Sequence, residues 1–205
     1  MPHPDHPAGA LRRDLETIYE MIPAGCRVLD LGCGSGELLS RLIADKRIFG
    51  QGLEVHLPSI CACIEKGVPV IQANLDEAHL DFPDRSFDYV ILNQTLQWLH
   101  RPEEVLREIL RVGRWGIVSL ANSAQWRFRL RLLIAGRQPA AADEGGSAKN
   151  HPAHSLTLND WREWSGRLQI KTAETVFFFS HWKRIPAGAP LASLRARYAL
   201  FRVTH

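Results

Sequence analysis

The chain has 205 residues, 45% of them hydrophobic and 23% charged, with a formal net charge of +3. That is the profile of one globular domain, with room for a small appendage. The charge surplus is too small to imply a nucleic-acid partner, and no apolar run is long enough to imply a membrane span.

Residues 1–10, MPHPDHPAGA, lack the apolar core of a signal peptide and are expected to form a disordered start. LRRDLETIYEMI (11–22) reads as an amphipathic helix that covers one face of a sheet. CRVLDL (26–31) reads as a buried strand. GELLSRLIADK (36–46) reads as a helix with Leu38, Leu39, Leu42 and Ile43 on one face. IFGQGLEV is a second strand, and LPSICACIEKG a short helix with Pro58 in its first turn and Gly67 past its end. VPVIQA is a third strand and SFDYVILN a fourth, continuous and apolar as a strand buried on both faces should be. RPEEVLREILRVG is a helix opened by Pro102 and two Glu and closed by Arg111, in accord with the helix dipole. WGIVSLAN is a fifth strand.

Beyond Asn122 the pattern changes. AQWRFRLRLLIAGR reads as a helix with Trp126, Leu130, Leu133 and Ile134 on one face. Trp126 and Trp98 read as packing residues rather than substrate platforms. Arg127, Arg129, Arg131 and Arg137 read either as a solvated face or as a receiver for an acidic substrate or partner. The polar stretch from Gln138 to Ser155 reads as a mobile loop. TLNDWREWSGR is a short helix capped by Thr157, LQIKTAETVFFFS one strand or two, and LASLRARYALF in the tail a last helix. The expected organisation is a disordered start over 1–10, a single domain over 11–185 with a lid or loop region at about 122–157, and a tail over 186–205. Alternating strands and helices call for a parallel α/β sheet with helices on both faces.

The chemistry concentrates in VLDLGCGSG. Glycines at a strand-to-helix turn let a ligand approach the backbone closely. The spacing here is G-x-G-x-G over Gly32, Gly34 and Gly36, with Cys33 between the first two. It is neither the dinucleotide fingerprint nor a P-loop, because no Lys-Ser or Lys-Thr pair follows. Asp30, two residues ahead, would repel a pyrophosphate but accept from an ammonium group. Glu54 ends the second strand, where an acid can take both hydroxyls of a ribose. Val55 could pack on an adenine, Asn74 and Leu75 could read its edge, and Asn93 ends the fourth strand near a reacting centre. Amino acid, ribose and adenine together specify S-adenosylmethionine or its product S-adenosylhomocysteine. Cys26, Cys33, Cys61 and Cys63 have neither zinc nor redox-pair spacing. They read as reduced thiols of a cytoplasmic protein without a metal site.

VLDLGCGSG, GLEV, FPDRSFDYVILNQTLQWL and LREILRVGRWGIVSL resemble the class I S-adenosylmethionine-dependent methyltransferases. The longer stretches RRDLETIYEMIPAGCRVLDLGCGSGELLSRL, VIQANLDE and ILRVGRWGIVSLANSAQWRFRLRLLIAGRQP resemble the methionine-biosynthesis MetW family. The match covers about residues 11 to 139. The chain departs from the family at His56 and Asn74, where the family usually carries acids, and through 140–156. The resemblance implies a Rossmann-like class I methyltransferase fold with a mostly parallel seven-stranded sheet. It also implies a role in methionine synthesis as partner and activator of a homoserine O-acetyltransferase of the MetX type. A methyltransferase acting on a small-molecule acceptor is the alternative. An oxygen nucleophile would then want a general base, and His100 holds the best position for one, with His154 able to approach from the loop.

Overall fold

The computed structural model describes residues 11–77, 79–135, 154–179, 183–186, 189 and 191–205. The start over 1–10, most of the polar loop and Arg137 lie outside the described residues.

Seven strands form one sheet: β1 (Arg27–Leu31), β2 (Phe49–Glu54), β3 (Val70–Gln72), β4 (Phe87–Leu92), β5 (Gly113–Ala121), β6 (Lys171–Phe178) and β7 (Tyr198–Thr204). Their spatial order is β3-β2-β1-β4-β5-β7-β6. The first five run parallel, and β7 inserts antiparallel between β5 and β6. The helices are α1 (Arg13–Met21), α2 (Glu37–Lys46), α3 (Leu57–Glu65), α4 (Pro102–Val112), α5 (Trp126–Ala135), α6 (Leu158–Arg167) and α7 (Ala192–Arg195). None of the described helices is long and apolar enough to cross a membrane.

The sheet separates two cores, and the strand period of two assigns residues to each. In β4, Val90 and Leu92 join Leu106 and Ile109 of α4 and Trp161 of α6 on one face. Tyr89 and Ile91 join Ile18 of α1 and Leu39 and Leu42 of α2 on the other. Each such buried aliphatic side chain contributes about 1.5–3 kcal/mol. The continuous apolar reading of the fourth strand follows from this double cover.

Local chemistry sets the helix ends. Pro102, Glu103 and Glu104 open α4, and Arg111 closes it. Arg111 also donates to Glu108, to Asp84 and to the carbonyls of Leu80 and Phe82, tying the preceding loop to the helix. Thr157 caps α6 as expected. Its hydroxyl accepts from the Asn159 and Asp160 N–H groups, and the Asp160 carboxylate accepts from the Thr157 N–H at 2.7 Å.

Three expectations are corrected. The stretch read as a last helix forms one helical turn over Ala192–Arg195 and then the strand β7. The end of the chain is therefore no appended tail. Residues 198–204 complete the sheet, paired on both sides. Trp126 is no packing residue, being 44% exposed with the Arg127 guanidinium over its ring. Trp98 is half-buried.

Phe201 is 4% exposed and stacks on Trp161 at 4.2 Å between ring centroids. Phe201→Ala is expected to cost about 3–5 kcal/mol of unfolding free energy, measured by urea denaturation. A cost below about 1 kcal/mol would contradict the central place of β7.

Candidate functional site

Parallel α/β sheets bind ligands beyond the carboxyl ends of their strands, where the order reverses. Here that point lies between β1 and β4, where the chain has gone outward to β2 and β3 and then returned. A cavity of about 210 Å³ sits there, lined by Arg12, Leu15, Asp30, Gly32, Cys33, Gly34, Ser35, Glu37, Leu38 and Asn93.

The floor is the glycine turn. Gly32 has φ +75°, and a Cβ there would lie 2.7 Å from the Thr95 hydroxyl oxygen. Both the left-handed backbone and the close approach therefore demand glycine. Gly34 has φ +55° with nothing within 4 Å of where a Cβ would be, so its bare backbone faces open space. Gly36, also left-handed, is the N-cap of α2. The Gly32 and Cys33 N–H groups donate to the Leu53 carbonyl at 2.8 and 3.1 Å, which pins the turn to β2.

Glu54 completes that attachment. One carboxylate oxygen accepts from the Gly34 N–H at 2.9 Å, and the other from the Val55 and His56 N–H groups at 2.9 Å. Charge-assisted bonds to three backbone donors hold the turn in shape.

Asp30 lies at the end of β1 with 5% of its surface exposed, and among the described residues no donor hydrogen-bonds its carboxyl. Burial, with the nearby charge of Glu54 adding to it, pushes its pKa from 3.8 up to about 7. A buried carboxyl in this state lacks a cation, and an ammonium group would supply one. Burial also raises the Cys33 thiol, whose sulfur is 3.9 Å from that of Cys63. These thiols are protonated and packed.

The opposite wall was not foreseen. Arg12 precedes α1 and lines the cavity, its guanidinium held in two 2.8 Å bonds to Asp14. Asp14 is fully buried and also accepts from the Asn93 and Gln94 side-chain amides at 3.0 Å. The Asn93 amide oxygen accepts in turn from the Ser119 hydroxyl, and Ser119 accepts from the Gln94 N–H. Gln94 has φ +55°, a conformation that costs a side-chain residue about 1–2 kcal/mol and is held here by those bonds. One buried carboxylate thus fixes both Arg12 and Asn93. No spacing in the sequence links residue 12 to residue 93; only the docking of α1 against the ends of β4 and β5 does.

The expected residues divide into groups. Asp30, Gly32, Cys33, Gly34 and Asn93 line the cavity together. Glu54 and Gly36 shape it from beneath. Val55, 59% exposed, follows Glu54, and Asn74 and Leu75 lie beyond β3, past the cavity's edge. The Asn74 amide serves its own turn, accepting from the Asp76 N–H and donating to Glu77, while Leu75 packs on the core. His100 does not line the cavity. Its Nδ1 lies 2.8 Å from Asp76, which also accepts its N–H at 2.7 Å, and the His154 ring lies 6.4 Å away. These bonds to His100 hold the Asp76 carboxyl below the usual carboxylate range, against the opposing effect of its partial burial. Among the described residues no group of three or more potential metal ligands occurs.

Comparison with known proteins follows the same lines. The family model described as methionine biosynthesis protein MetW matches residues 12–203. A bifunctional methionine biosynthesis protein MetXA/MetW from Rhodopirellula baltica is 38% identical over 187 residues, covering 86% of this chain and 30% of that protein. The chain spans under half the length of this and the next curated relatives it matches. Among solved structures, an S-adenosylmethionine-dependent methyltransferase from Mesorhizobium loti superposes with a TM-score of 0.67 at 16% identity, covering 95% of this chain and 98% of that one. The cyclase SpnF superposes with a TM-score of 0.68 at 17% identity, covering 97% and 85%. At such identities the likeness establishes the class I methyltransferase fold and leaves the reaction open.

The raised Asp30 pKa has a signed consequence. Between roughly pH 4 and pH 7 the folded chain binds a proton at Asp30 that the unfolded chain does not, so this contribution to stability falls as pH rises and is flat above about pH 7. From pH 5 to pH 8 the wild type should lose about 2–3 kcal/mol more unfolding free energy than Asp30→Asn. Equal losses in denaturant titrations would contradict the assignment.

Proposed function

Because the chain belongs to the MetW family and so to methionine biosynthesis, we propose that it binds S-adenosylmethionine or S-adenosylhomocysteine in this cleft. Acting in the cytosol, it stimulates a homoserine O-acetyltransferase of the MetX type. The observation that carries the partnership is the Rhodopirellula baltica relative, whose name joins MetXA and MetW in one bifunctional protein.

The residues fit the ligand by their chemistry. Asp30 is a buried carboxyl without a donor, suited to the α-ammonium of the methionine moiety. An ammonium there would favour its ionised form and draw its pKa back down. Arg12, held rigid by Asp14, is placed to meet the ligand's carboxylate. Gly34 offers bare backbone to close approach. Glu54 has its oxygens in three backbone bonds and would take a ribose hydroxyl with its remaining lone pair. Val55, exposed and next to Glu54 in sequence, is an apolar surface for adenine. When bound, S-adenosylmethionine supplies an activated methyl group. Stimulating a partner needs only that the ligand bind one state of the complex more tightly than another.

A methyltransferase acting on a small molecule is the second reading, favoured by the Asp76–His100 pair, in which a carboxylate fixes an imidazole as in a general base. Release of S-adenosylhomocysteine from a metabolite pool, abolished by His100→Gln with ligand affinity unchanged, would support it.

Calorimetric titration with both ligands tests the cleft. Arg12→Ala, Asp30→Ala and Glu54→Ala are each expected to weaken binding about tenfold or more, which is about 1.4 kcal/mol. Unchanged affinity in all three overturns the site. Acetyl transfer to homoserine by the organism's own acetyltransferase should rise when this chain is added. No rise and no complex overturn the partnership.

A further inference from the structure

The helix α5 departs from α2 and α4. In α2 and α4 the apolar residues are buried: Leu38, Leu39 and Leu42 in one, Val105, Leu106, Ile109 and Leu110 in the other. In α5, Trp126, Leu130, Leu133 and Ile134 are 44%, 46%, 82% and 78% exposed. At about 100° per residue these four fall within an arc of about 100° and form one stripe. Arg129 lies beside one margin and Arg127 beside the other, both exposed. The helix carries no acid. Phe128, half-buried, lies on the opposite side, so the stripe is not the face that seats the helix on the protein.

We propose that this stripe is where the homoserine acetyltransferase docks, through an apolar groove with an acidic rim. The inference rests on the partnership proposed above and assigns it a surface. Three observations carry it. A contiguous exposed apolar face on a folded chain marks an interaction site. Its composition, a Trp beneath an Arg guanidinium at 5.4 Å with aliphatic neighbours, is that of an interface centre, and its paired arginine margins call for negative charge opposite. The bifunctional relative carries both activities in one protein, so that the two meet at high effective concentration. The helix also begins five residues beyond the carboxyl end of β5.

The test uses the full chain and the purified acetyltransferase from the same organism, with affinity read by calorimetry. Leu133→Asp combined with Ile134→Asp should weaken the complex at least about tenfold. Arg127→Glu combined with Arg129→Glu should weaken it and reduce its salt dependence. Phe49→Asp, on an exposed apolar residue of β2 (74%), should leave it unchanged. Thermal midpoints of all variants should stay within about 2 °C of wild type. Wild-type affinity retained by both α5 variants overturns the inference and leaves the partnership standing. A midpoint lowered by about 5 °C or more shows that the stripe packs within this chain, which also overturns it. So does loss of self-association with acetyltransferase binding intact, because a second copy is then the occupant. Absence of a wild-type complex overturns the partnership itself.

Discussion

The N–H of Gly34 and a carboxylate oxygen of Glu54, 2.9 Å apart, hold the cleft in shape. Three glycines in left-handed conformations make a turn that is costly to order, since glycine loses the most freedom on folding. The turn holds because β2 receives it twice, through the Leu53 carbonyl and through Glu54. The start of α2 follows from that attachment, with Gly36 as its cap, and so does the open backbone above Gly34. The same carboxylate stands near enough to Asp30 to raise its pKa further. Turn geometry and site electrostatics thus share one residue.

Asp14 plays the corresponding part on the far wall. A fully buried carboxylate is tolerated only when its lone pairs are filled, and four donors from three residues fill them. Removing one partner of such a network leaves charge stranded, so Arg12, Asn93 and Gln94 are held as a unit. The cleft therefore has a rigid wall on a helix and a rigid floor on a turn, with a carboxyl between them that lacks a cation.

Much of this was legible in the residues. The first, fourth and fifth strands announce themselves as apolar runs because they are covered on both faces, and α4 because its ends carry opposite charges. Asp30, the glycines and Asn93 were legible because the turn and the strand ends are local in sequence. Arg12 was not, since its role depends on a helix docking across the sheet from residues some eighty positions away. Nor was β7: LASLRARYALF spaces its apolar residues as a helix would, and only the gap between β5 and β6 draws Tyr198–Thr204 into a strand. Asn74 and Leu75 read in the sequence as contacts to an adenine edge, whereas in the structure they serve their own turn and the core.

The position of β7 sets an order of events during synthesis. β6 emerges before β7, its neighbour in the sheet among the described residues. Until residues 198–204 are made, β5 presents an unpaired edge and β6 has nowhere to dock. Unpaired strand edges are templates for foreign pairing, and long-range closure is slow. The nascent chain passes through an interval in which its cleft-bearing half is laid down and its sheet is still open. Chaperone dependence and losses in yield should concentrate in that interval.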